Sequence, residues 1–101
     1  VNTLNNGAIR DFREDSAAEM SCVITKDGPK PLAVGYLPVA VSGLVTEIKA
    51  FEILAAKAAV EGDYNAALQA LCINPLIPSD DLAKTILDEM LEAHKEYLPQ
   101  F

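Results

Sequence analysis

The stretch Asn74-Pro75-Leu76-Ile77-Pro78-Ser79-Asp80-Asp81, with the amphipathic run that follows it and closes in Tyr97-Leu98-Pro99-Gln100-Phe101, decides how the C-terminal part of this chain folds. Asn74 precedes a proline and so avoids the α region, which ends any helix before it. Ser79 then offers a hydroxyl cap, and Asp80 and Asp81 put negative charge in a first turn where the helix dipole favours it. Leu82, Ile86, Leu87, Met90, Leu91 and His94 recur at helical spacing as an apolar stripe. Lys84, Asp88, Glu89, Glu92, Lys95 and Glu96 form the wet face, where the Lys84–Asp88 and Glu92–Lys95 pairs add roughly a few tenths of a kcal/mol each. A helix that runs on to Leu, Tyr and Phe predicts an end that docks onto something, because a free tail has no core in which to bury them.

Working upstream, helical spacing holds from about Ser42. Leu44, Ile48, Phe51, Ala55 and Ala58 form an inner stripe, and Glu47, Lys49, Glu52, Lys57 and Glu61 lie on the wet side. Gly62 supplies a left-handed cap and Asp63 can start the next helix. That helix, residues 64–73, is expected to turn Ala67, Leu68, Leu71 and Cys72 inward. Before Ser42 the period shortens. Residues 19–25 alternate as a half-buried strand, Lys26-Asp27-Gly28-Pro29 makes a turn, and residues 32–37 can return antiparallel between Pro31 and Pro38. Residues 10–18 are polar and mixed in sign, and read as a loop or a poor helical turn. The fold class is therefore α+β: a small antiparallel hairpin or sheet followed by three helices. Val1-Asn2-Thr3-Leu4 reads as the middle of a strand entering a loop, so residues 1–101 are expected to be one domain, the C-terminal piece of something larger.

The chain has 101 residues, half of them apolar and 23% charged, which suits one folded core. A formal charge of −7 argues against a nucleic-acid surface, since phosphate recognition needs clustered Lys and Arg. The most apolar run, residues 32–45, is broken by Gly35, Pro38, Ser42 and Gly43, and falls short of the roughly 20 residues that span a bilayer. Cys22 and Cys72 stand far apart, with no metal-ligand spacing, and are expected to be reduced thiols in a cytoplasmic protein.

No complete catalytic constellation emerges. There is no Gly-rich phosphate loop, no HExxH, and a single histidine, His94, which reads as a helix residue near the favourable C-terminal dipole. Asp80-Asp81 is explained by its place at a helix start. Glu14, Asp15 and Glu19 have nothing to fix their separation as a hydrolytic pair. Tyr36, Tyr64 and Tyr97 fit as core-edge or interface aromatics. No catalytic, cofactor-binding or metal-binding residue is therefore assigned. Asn5-Asn6-Gly7 is a turn signature, because Asn and Gly both tolerate positive φ.

The order of segments nevertheless carries a resemblance. Asn2-Thr3-Leu4-Asn5-Asn6-Gly7-Ala8-Ile9, then Gly28-Pro29-Lys30-Pro31-Leu32-Ala33-Val34-Gly35-Tyr36-Leu37-Pro38, resemble the later part of glycoside hydrolase family 4. So do Lys49-Ala50-Phe51-Glu52, Ala58-Ala59-Val60-Glu61-Gly62-Asp63, Ala70-Leu71 before Asn74-Pro75-Leu76, and the closing Ala93-His94-Lys95-Glu96-Tyr97-Leu98-Pro99-Gln100-Phe101. The Pro31-Leu32-Ala33-Val34-Gly35 wording is nearest to the family's 6-phospho-β-glucosidases. One departure falls after Ile9, where the family usually continues with a Leu-Pro turn and a Val-Glu-Val-Pro-like strand; here stand Arg10-Asp11-Phe12-Arg13-Glu14-Asp15 and Glu19-Met20-Ser21-Cys22.

The resemblance implies a C-terminal domain similar to that of lactate and malate dehydrogenases, beside a missing N-terminal NAD-binding Rossmann domain. It implies hydrolysis of 6-phosphoglycosides with NAD and a divalent metal, usually manganese, through oxidation at C3, proton loss at C2, elimination, water addition and reduction. The two-carboxylate scheme does not apply to that family. Its glycine turn and metal-binding Cys and His belong to earlier segments, and none of the residues present here matches them. The implied partners are the missing domain, other subunits of a homo-oligomer and a phosphorylated disaccharide, with no nucleic acid and no membrane. The Asn5-Asn6-Gly7 loop is the one segment that such a site would approach. The Ala-rich helix from Leu44 and the segment 97–101 are the surfaces expected to be covered by the missing domain or another subunit. Other family 4 activities, on 6-phospho-α-glucosides or α-galacturonides, and a stand-alone helical interaction module are the alternatives.

Overall fold

The computed structural model describes all of residues 1–101. The elements run β1 (Asn2–Leu4), β2 (Ala17–Glu19), β3 (Cys22–Thr25), β4 (Gly28–Pro31), α1 (Val39–Glu61), α2 (Tyr64–Ile73) and α3 (Asp80–His94), then a short 3-10 turn, Lys95–Tyr97. The α+β class and the three helices agree with the sequence reading. Two compact units divide the chain, Val1–Gly43 and Leu44–Phe101.

In the first unit, two antiparallel pairs form. β1 pairs with β2 (Asn2↔Glu19, Thr3↔Ala18, Leu4↔Ala17), and β3 with β4 (Cys22↔Pro31, Val23↔Lys30, Ile24↔Pro29, Thr25↔Gly28). The expected strand over residues 19–25 is thus two strands, separated at Met20 and Ser21. The expected return strand over residues 32–37 lies instead at Gly28–Pro31. The turn is shorter than the sequence suggests: only Lys26 and Asp27 make it, and Gly28 takes the positive φ of +99° that lets the chain re-enter the ladder at once. The prolines do not prevent pairing. The Leu32 N–H donates to the Ser21 carbonyl at 3.0 Å, which sets the parity: the nitrogens of residues 28, 30 and 32 face β3, and those of Pro29 and Pro31 face away. Ala8, Ile9 and Met20 are the buried centre of this unit, with Phe12, Ala18, Cys22 and Leu37 packed around them.

In the second unit the punctuation is as the sequence reads. Gly62 has φ +68°, Asp63 Oδ1 accepts from the Ala66 N–H at 3.0 Å, and Ser79 Oγ accepts from the Leu82 N–H at 3.2 Å. Asn74 before Pro75 is extended. α1 begins at Val39, three residues before Ser42, because the Pro38 carbonyl accepts from the Val41 and Ser42 N–H groups and starts the helix.

The inward faces differ in detail. α2 and α3 pack on each other, and the residues fully buried in them are Ala66 and Ala70 on α2 and Ala83 and Leu87 on α3. Ala67, Leu68, Leu71 and Cys72 are half-buried, while Leu82, Met90 and His94 are exposed. Three of these four buried residues are alanines, and small side chains let two helices approach closely. On α1 the expected inner stripe is buried only at Ala58, with Ile48, Phe51 and Ala55 half-buried and Leu44 exposed.

Candidate functional site

The loop from Asn5 to Ser16 is built around one side chain. Asn5 is completely buried. Its Oδ1 accepts from the Ile9 N–H at 2.7 Å, and its Nδ2 lies 2.9, 3.0 and 3.2 Å from the carbonyl oxygens of Ile9, Phe12 and Arg13. The amide orientation is fixed by this arrangement, since one side meets an N–H and the other meets only carbonyls. Backbone bonds close the loop: Asn5 N–H to the Ser16 carbonyl (2.9 Å), Asn6 N–H to Glu14 (3.0 Å) and Ala8 N–H to Asn5 (2.9 Å). Asn6 (φ +46°) and Gly7 (φ +80°) make two successive left-handed steps, which Asn followed by Gly makes at little cost.

This loop then holds the segment before α1. The Val34 N–H donates to the Ala8 carbonyl at 2.8 Å, the Arg10 N–H to Gly35 at 2.9 Å, and the Leu37 N–H to Asp11 Oδ1 at 3.1 Å. Ile9 and Gly35 form a single parallel bridge. Outward, the Arg10 guanidinium sits 5.8 Å from the centroid of the exposed Tyr36 ring, a cation–π contact. Arg13 grips Asp15 with two bonds, 3.0 and 2.8 Å, and that hydrogen bonding holds the Asp15 carboxyl below its ordinary value. Of the three loop residues singled out from sequence, then, Asn5 is consumed by structure, while Asn6 and Gly7 face solvent.

The remaining candidates stay apart. No three His, Cys, Asp or Glu side chains converge on a point that could hold a metal ion. Cys22 and Cys72 are free, half-buried thiols, and partial burial, with Asp80 nearby, pushes the Cys72 thiol up and away from thiolate character. Tyr64 Oη donates to Asp88 Oδ1 at 2.7 Å while Lys84 Nζ donates to Asp88 Oδ2 at 2.5 Å. That bond to a carboxylate raises the phenol, and it ties α2 to α3. His94 is exposed at the end of α3, and Asp80 and Asp81 occupy the first turn that Ser79 caps.

Residues 1–77 match the family described as the family 4 glycosyl hydrolase C-terminal domain. The chain belongs to glycosyl hydrolase family 4. A probable 6-phospho-β-glucosidase of Bacillus subtilis (strain 168) is 68% identical over 101 residues, all of this chain and 23% of that protein. Among solved structures, a 6-phospho-α-glucosidase from gut microorganisms in complex with NAD and glucose-6-phosphate is 40% identical, with a TM-score of 0.94 over 100% of this chain and 23% of its own. The 6-phospho-β-glucosidase of Thermotoga maritima, solved with manganese, NAD+ and glucose-6-phosphate, is 32% identical, with a TM-score of 0.85 over 96% of this chain and 24% of its own. This family 4 chain therefore spans about a quarter of the length of the relatives it matches.

The side chains present do not fit either group bound in those structures. A manganese ion needs converging oxygen or nitrogen donors, and none converge. A dinucleotide needs a run of closely spaced glycines in a turn from a strand into a helix, whereas Gly35, between β4 and α1, stands alone, and Gly7, Gly28, Gly43 and Gly62 lie elsewhere in the chain.

Proposed function

We propose that this chain is the C-terminal part of a cytoplasmic, NAD- and Mn2+-dependent 6-phospho-β-glucosidase, and that residues outside the 101 hold both cofactors and perform the chemistry. The 68% identity along the full chain to the Bacillus subtilis protein carries the choice of β-glucoside. On this reading the loop closed by Asn5 and the helices contribute a scaffold: they help close the cleft, brace the nucleotide-binding part and supply contacts between subunits. A second reading, a 6-phospho-α-glucosidase, is favoured by the 40% identity and TM-score of 0.94 to the gut enzyme.

The test takes the full-length enzyme to which these residues belong and supplies NAD, manganese and either anomer of 4-nitrophenyl 6-phosphoglucoside. Release of nitrophenol from the β-anomer is expected, with none from the 101 residues alone. Preference for the α-anomer would select the second reading, and turnover by the isolated chain would overturn both.

A further inference from the structure

The chain has five asparagines, and the chemical stability of each depends on the backbone nitrogen that follows it. That nitrogen can attack the side-chain amide carbon only if it has an N–H to lose and no partner holding it. Asn74 is followed by Pro75, which has no N–H. The Asn6 N–H, after Asn5, donates to the Glu14 carbonyl at 3.0 Å, and the Ala66 N–H, after Asn65, donates to Asp63 Oδ1 at 3.0 Å. Thr3, after Asn2, lies in the β1–β2 ladder opposite Ala18. Gly7, after Asn6, is different. Neither the Gly7 N–H nor the Asn6 carbonyl, the two ends of one peptide unit, has a hydrogen-bond partner within the chain, and both residues are exposed.

The turn around that peptide has a second form. Both central residues have positive φ, +46° and +80°, and the Ala8 N–H to Asn5 carbonyl bond of 2.9 Å spans them, which makes a type I′ turn. A half-rotation of the central peptide converts type I′ to type II′: ψ at the first position swings to about −120° and φ at the second to about −80°, with the spanning bond kept. Glycine at the second position accepts either sign of φ. The rotated form brings the Gly7 nitrogen round to the side-chain carbon of Asn6, and no bond has to break for it to do so.

We propose that Asn6 is a site of spontaneous covalent modification, a deamidation through a cyclic imide reached by this local rotation in the folded protein. The Gly7 nitrogen gives up its proton and attacks Asn6 Cγ; the N–Cγ bond forms, the Cγ–Nδ2 bond breaks, and ammonia leaves with the proton. Water then adds to one of the two imide carbonyls. Opening at Cγ leaves aspartate, and opening at the main-chain carbon leaves isoaspartate, whose backbone runs on through Cβ and Cγ. No electrons change hands: amide and water become acid and ammonia. Either product puts a negative charge on the exposed turn, and isoaspartate also lengthens it, which loosens the loop that Asn5 holds together.

The experiment ages the full-length enzyme to which these residues belong at mildly alkaline pH, with peptide mass spectrometry and fragmentation that tells isoaspartate from aspartate. Conversion at Asn6 should be on the order of tenfold faster than at Asn2, Asn5, Asn65 or Asn74, should give both acids, and should hold its rate in urea below the unfolding transition. Asn6→Gln, which would have to close a larger ring, should abolish it. Conversion elsewhere among the five ahead of Asn6, or none at Asn6, would overturn the proposal. So would aspartate without isoaspartate, which marks direct hydrolysis, and so would a rate that climbs with urea in step with the unfolded fraction, since the chemistry would then belong to the unfolded chain.

Discussion

The backbone carbonyl oxygen of Gln100 occupies the space where a side chain on Gly62 would begin: a Cβ at Gly62 would lie 1.9 Å from it. Gly62 thus meets two demands, a φ of +68° between α1 and α2 and room for the returning C-terminus. Gly62→Ala should cost about 1–2 kcal/mol for the left-handed backbone and more because backbone atoms of Gln100 must move. Urea unfolding should show a smaller loss when the same substitution is made in a chain lacking residues 99–101. Equal losses in both backgrounds would mean that the tail does not depend on Gly62.

Asn5→Ala should be among the most damaging single changes in the first unit, about 3 kcal/mol or more, since it strips partners from the Ile9 N–H and from three carbonyls around a fully buried site. Asn5→Asp keeps the shape but sets a carboxylate against those carbonyls. Its stability deficit should be large at neutral pH and shrink in acid as the carboxyl gains a proton, which thermal melts at several pH values would reveal.

Asp88 accepts from Lys84 and Tyr64, and these bonds lower its carboxyl below the ordinary value. A group lowered in the folded state adds stability that is present above its unfolded value and is lost as pH falls through its folded one. Asp88→Asn should therefore lower stability at neutral pH and above, and the gap to the parent should close as pH falls through the acid range, so that the acid limb is flatter; denaturant midpoints from acid to neutral pH are the measurement.

Asp63→Ala and Ser79→Ala should each cost about 1 kcal/mol, because each removes the acceptor for an otherwise unpaired N–H at a helix start. The loss should appear in circular dichroism melts and should be nearly additive.

Those two caps show which parts of the fold could be read from residues alone. Gly62, Asp63, Asn74-Pro75 and Ser79 act through neighbours within a few positions, so local chemistry announces them. The ion pairs Lys84–Asp88 and Glu92–Lys95 belong to the same class. What remained hidden depends on residues far apart. Nothing near Ala83 signals that it is fully buried, and no spacing rule gives Gly62 its meeting with Gln100. Asn5 announces a turn but not that its amide would gather four backbone groups from residues 9, 12 and 13. The return strand is hidden because Pro29 and Pro31 look like strand breakers until the parity of the ladder is known.

That parity reaches beyond the hairpin. With no amide hydrogen on its outer side at Pro29 and Pro31, β4 cannot template another chain, and the β3–β4 ribbon can lengthen sideways only from β3. A molecule that starts to unfold and bares this ribbon thus has one margin closed to fibril growth by its own covalent structure.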